Sequence, residues 1–422
     1  MKNTFWISVI SLTYIIHQIC GFARFDRYSV IKAIPKRLGD IDHLTQIKHR
    51  FLNDVDFWSE SNRIEDAILF DVSPRLKKNL IHYLDKNRIN YTILTDNLEQ
   101  WVEKERLYAT ESMKNEINLD SIDYERYYPF EKYVDILKYL HSKHSAATYK
   151  TIGSTIEGRM IPAMVINNDR DVKKNAVVFE CGIHAREWIS HASCLWFIKE
   201  LLSGDGKKLL DKYEFHFIPI LNPDGYVYTF THNRMWRKNR RRNYFGLSVA
   251  CDGVDLNRNF DINFCRDLAA RSMCSQAYCG SYAFSEKETQ SMRDYVLELN
   301  KTAKIDAYFA LHSFTQLWMY PYGFTSYEPR SIGQYRKLSK LAVEAIRNTH
   351  GKTYRWGSIF ETMRYLVSGA SLDWIESQNL ADFSFAIELR DTGEYGFLLP
   401  ANQIRPTSEE VWSAIEVVLL NI

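Results

Sequence analysis

The chain has 422 residues, of which 45% are hydrophobic and 25% are charged, and its formal net charge is +2 at pH 7. This length suits two domains of ordinary size, and the composition is that of a globular protein with a full hydrophobic core. A net charge this close to zero argues against a nucleic-acid-binding protein and against a chain with a strongly acidic tail. We therefore expect no nucleic-acid partner.

Residues 1–22 predict a secretory signal peptide. Lys2 supplies a positive charge, residues 5–16 form an apolar run, and the small residues Gly21 and Ala23 follow. The run is short for a membrane span, which needs about 20 residues, and it fits the apolar core of a signal. We expect the protein to be secreted and extracellular, with no membrane partner.

The cysteines fit an extracellular protein. The chain has seven of them, and six remain if Cys20 leaves with the signal. An even number of cysteines in a secreted chain indicates disulfides, although spacing alone does not choose the pairing. Asn90 and Asn300 each begin an Asn-x-Thr sequence and are candidate glycosylation sites in a secreted chain.

Residues 23–106 predict a small domain. Segments with alternating or helical spacing of apolar residues predict its strands and helices. In chain order these segments are a strand at 28–34, a helix at 42–51, a strand at 66–72, a helix at 76–87 and a strand at 90–94. With one further strand near Phe57, the order is βαββαβ, which is that of a ferredoxin-like α+β domain.

Residues 107–126 are predicted to connect this small domain to the rest of the chain. The segment 100–124 carries many charges and contains neither glycine nor proline. This composition favours a helix that leads into an exposed connector.

Residues 127–422 predict a larger α/β domain. Continuous apolar strands alternate with helices, which indicates a mixed, twisted sheet that is flanked by helices. The predicted strands are 176–181, 215–221, 307–312 and 383–389, and the predicted helices include 189–202 and 409–420.

Three residues of this domain are candidate metal ligands. His184 and Glu187 come directly after a predicted strand, at the edge where open α/β sheets place ligands. His312 also ends a predicted strand. Two histidines and one glutamate form a catalytic zinc site with a fourth position open to water. We expect His191, in the following helix, to pack rather than to bind metal.

Glu388 ends another apolar strand, where burial would raise its pKa. It is either a structural carboxylate, paired for example with Arg390, or a general base that takes a proton from the attacking water.

A cationic stretch at 234–242 is followed by Asp-Leu-Asn-Arg-Asn at 255–259. Most of these cations we expect to be solvated, but the planar guanidinium of arginine matches a peptide's terminal carboxylate in a bidentate way.

Several separate motifs resemble those of zinc metallocarboxypeptidases of the A/B type. They are Cys-Gly-Ile-His-Ala-Arg-Glu-Trp-Ile-Ser at 181–190, Asn-Pro-Asp-Gly at 222–225, Asp-Leu-Asn-Arg-Asn-Phe at 255–260, His-Ser at 312–313, Glu-Leu-Arg-Asp-Thr-Gly at 388–393 and Tyr-Gly-Phe-Leu-Leu-Pro at 395–400. The resemblance runs from about residue 127 to the C-terminus, and residues 28–106 resemble the family's activation domain more loosely.

The resemblance implies a role for each motif. His184, Glu187 and His312 would bind one Zn²⁺. Asp255 would hold His184 by a hydrogen bond. Glu388 would be the general base and then the acid, and Arg237 would stabilise the oxyanion. The residues implied in substrate binding are Arg186, Asn257, Arg258, Phe314, Tyr365, Leu372 and Phe397. The implied disulfides are Cys181–Cys194, Cys251–Cys274 and Cys265–Cys279.

The sequence departs from the family pattern in two places. Phe314 stands where a tyrosine is common, so a hydroxyl is missing. The loop 360–370 is one residue longer than usual, so that either Tyr365 or Arg364 takes the position of the mobile tyrosine. We favour Tyr365, because a phenol can both cap the pocket and donate to the substrate.

The implied enzyme removes single residues from the C-termini of peptides. The family's selecting position is Leu372, next to Asp373, and Met319, Gly323, Met363 and Ala386 complete an apolar pocket. We therefore expect apolar or aromatic C-terminal residues as substrates. The alternatives are a preference for basic termini, acidic termini if Arg364 turns inward, and a non-catalytic binding protein of the same fold, which should lack a ligand or the base.

The resemblance also implies a monomeric, latent proenzyme. We expect a trypsin-like protease to activate it by cutting near Lys104, Arg106 or Lys114. The alternative is a binding domain that stays permanently attached.

Overall fold

The computed structural model describes residues 22–52, 54–114, 121–203, 206–243, 251–267 and 269–422. Apart from Phe22, the expected signal peptide lies outside these residues, as does the middle of the expected connector, 115–120. We refer to residues 22–114 as the N-terminal unit and to residues 121–422 as the large unit.

The N-terminal unit contains a four-stranded antiparallel sheet in the order β2-β3-β1-β4. Its strands are β1 (Ser29–Ile34), β2 (Val55–Phe57), β3 (Ile68–Val72) and β4 (Asn90–Thr95). Its helices are α1 (Leu38–Arg50), α2 (Pro74–Lys86) and α3 (Leu98–Lys114). The predicted βαββαβ order is confirmed, including the strand near Phe57.

Local signals place these elements. Helix α2 begins where the Ser73 hydroxyl accepts a hydrogen bond from the backbone N–H of Leu76, and Pro74 follows as the first helical residue. Proline suits this position because its missing N–H would have no partner in the first turn. The apolar faces of α1 and α2 pack on one face of the sheet around Phe70.

The large unit contains an eight-stranded mixed sheet in the order β11-β10-β12-β9-β7-β8-β6-β5. Its strands are β5 (Ala147–Ser154), β6 (Met160–Ile166), β7 (Asn175–Cys181), β8 (Tyr213–Ile218), β9 (Ile305–Ser313), β10 (Leu317–Tyr320), β11 (Arg355–Ser358) and β12 (Ala381–Leu389). The four central strands β12, β9, β7 and β8 are parallel, and antiparallel strands join them on both sides.

Helices cover both faces of this sheet. They are α4 (Phe130–Lys143), α5 (Trp188–Ser203), α6 (Lys207–Leu210), α7 (Pro223–Thr231), α8 (Lys287–Thr302), α9 (Ile332–His350), α10 (Ile359–Met363), α11 (Ser371–Ser377) and α12 (Ile404–Leu419). Side chains alternate along a strand, so in β7 Val177 and Phe179 enter one core while Ala176 and Val178 enter the other. The predicted mixed sheet flanked by helices is confirmed.

The two units share a fourth core. Trp58 and Leu69 of the N-terminal unit pack with Phe314 and Phe397 of the large unit, and the Trp58 and Phe397 rings lie 5.9 Å apart. Asp66 and Arg355 form a two-pronged ion pair across the same boundary, with both contacts at 3.0 Å. The N-terminal unit is therefore held on the large unit by apolar burial as well as by charge.

Two of the three implied disulfides are present, Cys251–Cys274 and Cys265–Cys279. The third expected disulfide, Cys181–Cys194, is not formed, because both residues are free thiols. Both lie in the core between β7 and α5, where burial raises the pKa of the Cys181 thiol well above its usual range. A protonated thiol is not the form that exchanges with disulfides.

We predict that Gly369→Ala destabilises the protein more than Gly351→Ala. Both glycines have φ +70°, which costs a residue with a Cβ about 1–2 kcal/mol. At Gly351 the added Cβ meets nothing within 4 Å, whereas at Gly369 it would lie 2.2 Å from the carbonyl oxygen of Arg258. Such a clash typically adds about 1–3 kcal/mol.

Thermal unfolding of the two variants and the unchanged chain measures this difference. Equal unfolding temperatures for the two variants would show that the backbone around residue 369 relaxes freely.

Candidate metal centre and cleft

The candidate metal ligands meet at the carboxyl ends of neighbouring parallel strands. His184 and Glu187 lie in the turn between β7 and α5, and His312 is the penultimate residue of β9. Glu388 of β12 is in register with His312 across the β9–β12 pair. The register of three parallel strands therefore brings together residues that are far apart in the sequence.

Ligand atoms of His184, Glu187 and His312 all lie within 4.8 Å of one another, and all three side chains are buried. The Nδ1 atom of His184 is 2.8 Å from Glu187 Oε1, and His312 Nδ1 is 3.2 Å from Glu187 Oε2. The two histidine Nδ1 atoms are 3.2 Å apart. Among the residues that the structure describes, these three form the cluster of His, Cys, Asp or Glu side chains that could hold a metal ion.

This geometry fits a zinc ion. Ligand atoms about 2.0–2.2 Å from a tetrahedral zinc lie roughly 3.3 Å from one another, close to the observed separations of 2.8 and 3.2 Å. Without a cation, two imidazole lone pairs and a carboxylate would repel one another in a buried site. The chemistry of the donors therefore matches the implied metal.

Asp255 and Arg237 support His184 from behind. Asp255 Oδ1 is 3.1 Å from His184 Nε2, while its Oδ2 accepts hydrogen bonds of 3.2 and 3.0 Å from Arg237. Burial alone would raise the pKa of Asp255, but Arg237 and His184 outweigh it and hold the pKa well below its usual range. An ionised Asp255 accepts the Nε2 proton of His184 and leaves the Nδ1 lone pair directed at the metal position.

Glu388 carries an unpartnered oxygen. Its Oε2 atom is buried without a hydrogen-bond partner among the described residues, and burial raises the pKa of Glu388 to about 8. The structural alternative, a pair with Arg390, is wrong, because Arg390 donates from Nε to Glu410 Oε1 at 2.9 Å. His191 is buried and stacks on Tyr226 with ring centroids 4.1 Å apart, as expected of a packing residue.

The residues that the resemblance implies in substrate binding line the same cleft. They are Arg186, Asn257, Arg258, Phe314, Tyr365, Leu372 and Phe397. The Arg186 guanidinium lies 4.1 Å from the centre of the Phe397 ring, which in turn packs edge-on against Phe314. The Asn257 side chain is fixed by the N–H of Ser371, which donates to its Oδ1 at 2.9 Å.

The longer loop turns Tyr365 and Arg364 in different directions. Arg364 ends helix α10 with a positive φ of 60°, and its side chain is exposed. Tyr365 lines the cleft, where burial raises the pKa of its phenol and Glu60 adds to the effect. The phenol, rather than the guanidinium, is the group from this loop that faces the cleft.

The pocket next to the metal position has apolar walls. Leu372, Met319, Met363 and Ala386 line it. Gly323, which was expected in this wall, is not among the described residues that line the cleft; its N–H donates to Asp373 Oδ2 at 2.8 Å.

Sequence reasoning missed several polar residues around the cleft. Lys48, Asp56 and Glu60 of the N-terminal unit line the cleft from above, and Asp56 Oδ2 accepts a hydrogen bond of 2.5 Å from Arg186. Ser371 and Glu180 were also missed. A run of charges does not show which charge faces a cleft, so no sequence signal identified them.

Family models match both units of the chain. The model described as zinc carboxypeptidase matches residues 133–414, and the model described as carboxypeptidase activation peptide matches residues 31–105. This chain belongs to the zinc carboxypeptidase family.

Curated members of the family are similar over nearly their whole length. Human carboxypeptidase B is 34% identical over 92% of this chain and 92% of its own length, and rat carboxypeptidase A1 is 33% identical over 96% and 93%. The crystal structure of thrombin activatable fibrinolysis inhibitor superimposes with a TM-score of 0.84 and 31% identity, over 94% of this chain and 99% of that one. The predicted family, fold and enzyme class are therefore confirmed.

This carboxypeptidase is about equally similar to A-type and B-type relatives. Overall identity therefore does not indicate its substrate preference, which has to be argued from the residues of the pocket. The family implies zinc and an activation peptide. Within the described part of the chain, we find no helix that is long and apolar enough to cross a membrane.

Proposed function

We propose that this zinc carboxypeptidase is a secreted, latent proenzyme that hydrolyses the last peptide bond of peptides with apolar or aromatic C-terminal residues. The observation that carries the proposal is the convergence of His184, Glu187 and His312 with Glu388 in one cleft. We further propose the division into a signal peptide at 1–22, a prodomain at 23–106, a connector at 107–126 and a catalytic domain at 127–422.

The side chains of the cleft divide the chemistry between them. Zinc bound by His184, Glu187 and His312 would polarise the scissile carbonyl and lower the pKa of the attacking water. Glu388 takes a proton from that water and later returns one to the leaving amine. Arg237 stabilises the negative charge that develops on the carbonyl oxygen.

Cationic and polar side chains orient the substrate. Asn257, Arg258 and Tyr365 bind the terminal carboxylate, and this contact makes the enzyme an exopeptidase because only a chain end carries that group. Arg186, Phe314 and Phe397 contact residues further along the peptide.

Secretion rests on the signal-like residues 1–22 and on the two disulfides, since disulfides persist in oxidising compartments. We propose a monomer, with peptides as substrates and a trypsin-like protease as the activating partner.

Glu388→Gln should retain zinc but lose about 10²–10⁴-fold or more in kcat, because it removes the proton-transfer group. His312→Ala should lose both zinc and activity. Zinc content and hydrolysis of blocked dipeptides, measured after limited trypsin treatment, test both variants. Near-normal turnover by Glu388→Gln would contradict this mechanism.

The pH profile gives an independent measure of Glu388. A protonated Glu388 cannot act as a base, so kcat/KM falls as the pH decreases through its pKa. Burial raises that pKa to about 8, and a cation bound beside it lowers the value again. The acidic limb should therefore lie below about pH 8 and should vanish in Glu388→Gln.

The pocket lining supports apolar specificity. A lysine ammonium beside Leu372, Met319 and Ala386 would lose its hydration without gaining a partner, at a cost of several kcal/mol. A Phe or Leu side chain would instead gain about 1.5–3 kcal/mol from burial.

We therefore predict that kcat/KM decreases from substrates ending in Phe or Leu to those ending in Lys or Glu. Leu372→Asp should reverse the order of Phe and Lys, because it supplies a carboxylate at the selecting position. A wild-type preference for Lys would show that the pocket is misassigned, and a preference for Glu would point to Arg364.

Contacts of the N-terminal unit support latency. Asp56 pairs with Arg186, and Glu60 lies in the cleft with Lys48 at 2.6 Å. Burial alone would raise the pKa of Glu60, but Lys48, Arg258 and Arg237 outweigh it and lower the value. Two carboxylates of this unit thus lie in the field of the arginines that we assign to the substrate.

Helix α3 adds a contact near the expected cleavage sites. Glu105 pairs with the buried Arg234, with one oxygen 3.1 Å from Nη2, and Lys104 and Arg106 flank it in the sequence. Arg234 also donates to the carbonyl of Phe397 at 2.7 Å. A cut after Lys104 would leave Glu105 attached to the large unit, so this pair would no longer tie the N-terminal unit to the cleft.

The intact chain should be far less active on blocked dipeptides than the trypsin-treated chain. Asp56→Asn combined with Glu60→Gln should raise the activity of the intact chain, because the cleft loses both internal carboxylates. Glu65→Gln, an exposed change on the same loop, is the control and should leave the intact chain inactive. Equal activity of intact and trimmed wild type would instead indicate a permanently attached binding domain.

A further inference from the structure

Glu180 is a buried acid that the proposed mechanism does not use. It occupies the penultimate position of β7 and is 1% exposed. Its Oε2 atom accepts a 2.6 Å hydrogen bond from the hydroxyl of Tyr308, and its Oε1 atom accepts one of 3.0 Å from the hydroxyl of Ser371. Both hydrogen-bond partners are neutral hydroxyl groups.

Ser371 links this acid to the cleft. Its side chain donates to Glu180, while its backbone N–H donates to Oδ1 of Asn257 at 2.9 Å. Because the amide oxygen of Asn257 is occupied, the amide nitrogen is left on the cleft side, where Nδ2 lies 3.5 Å from Nε2 of His312. The direction in which Asn257 can donate therefore depends on where Ser371 is held.

Burying a carboxylate without a cationic partner lowers the stability of a protein. Burial raises the pKa of Glu180, and a well-packed apolar side chain at such a position generally stabilises a protein as well or better. A purely structural acid at this point of β7 would have little advantage over the apolar residues that precede it. The only route from Glu180 to the cleft that we find among the described hydrogen bonds runs through Ser371.

We propose that Glu180 is a positioning residue, which holds Ser371 so that the amide of Asn257 faces the terminal carboxylate of the substrate. This inference rests on the proposed carboxypeptidase function, in which Asn257 contacts that carboxylate. Among the described hydrogen bonds Glu180 makes none to a metal ligand, and its link to Asn257 runs through the Ser371 hydroxyl.

Glu180→Ala should raise KM about 10-fold, which corresponds to the loss of one hydrogen bond to a charged group. The change in kcat should stay within about 3-fold, and zinc content should be unchanged. Glu180→Gln keeps an acceptor for Ser371 and should recover most of the wild-type KM. All variants are produced as full chains, loaded with zinc and trimmed with trypsin.

A similar buried acid, on the helix that begins with Ser371, provides the control. Glu376 of α11 is buried and accepts from Tyr335 at 2.7 Å and from Ser384 at 3.5 Å. Like Glu180 it is an acid bound by a tyrosine and a serine, but its partners do not contact Asn257. Glu376→Ala should lower the unfolding temperature and leave KM unchanged, which separates positioning from general stability.

A double-mutant cycle tests the route. If Glu180 acts through Ser371, then Ser371→Ala should raise KM similarly and the double variant should be no worse than either single variant. Additive effects on KM would overturn the proposal, as would an unchanged KM in Glu180→Ala.

Calorimetric binding of 3-phenylpropanoate, a carboxylate that resembles the end of a substrate, provides a readout without hydrolysis. Its Kd should rise about 10-fold in Glu180→Ala and in Ser371→Ala. A wild type that binds this ligand but hydrolyses nothing would refute the carboxypeptidase function while leaving the positioning measurable. If Glu180→Ala does not fold, Glu180→Gln and Ser371→Ala still test the proposal. An unchanged Kd in Ser371→Ala would then refute the link from Glu180 through Ser371 to Asn257.

Discussion

The close approach of two imidazole nitrogens and a carboxylate at a buried strand edge is the constraint on which the rest of the cleft depends. His184, Glu187 and His312 form a donor set that suits a cation, and the packing that holds them together comes from strands whose register the hydrophobic core sets. Asp255 and Arg237 neutralise each other behind His184. Burial raises the pKa of Glu388 to about 8, which places this carboxylate to respond to a proton in the cleft.

The same cations explain why the N-terminal unit fits where it does. Arg186 and Arg258 bring positive charge into the cleft, which would suit a peptide's terminal carboxylate as well as the acidic side chains of a covering domain. Asp56 contacts Arg186, and Glu60 lies in the electric field of Arg258 and Arg237. Apolar contacts around Trp58 and the ion pairs of Asp66 and Glu105 also hold the N-terminal unit, so the binding does not depend on Asp56 and Glu60 alone.

The sequence predicted the parts of the fold that short-range patterns determine. The strand expected at 215–221 ends instead at Ile218, because Pro219 lacks the N–H that would continue the ladder. The final helix begins at Ile404 rather than at 409, because proline is tolerated in a first turn and so Pro406 does not delay the helix. The candidate metal ligands were predictable because each lies at the carboxyl end of a strand or just beyond it, whereas Glu180 and Ser371 are 191 residues apart and join only through tertiary packing.

Asp373 shows why a residue's type does not by itself determine pocket chemistry. An acid one position from the selecting residue suggests a partner for lysine, yet Asp373 is fully buried and accepts the backbone N–H of Gly323. Burial raises its pKa to about 7, so near neutral pH it is a weak counter-ion. Leu372, the preceding helical residue, lines the cleft in its place. Because successive helical residues point in directions about 100° apart, the side chain that faces the cleft is the leucine, and the Asp373 carboxylate stays in the framework that holds the pocket loop.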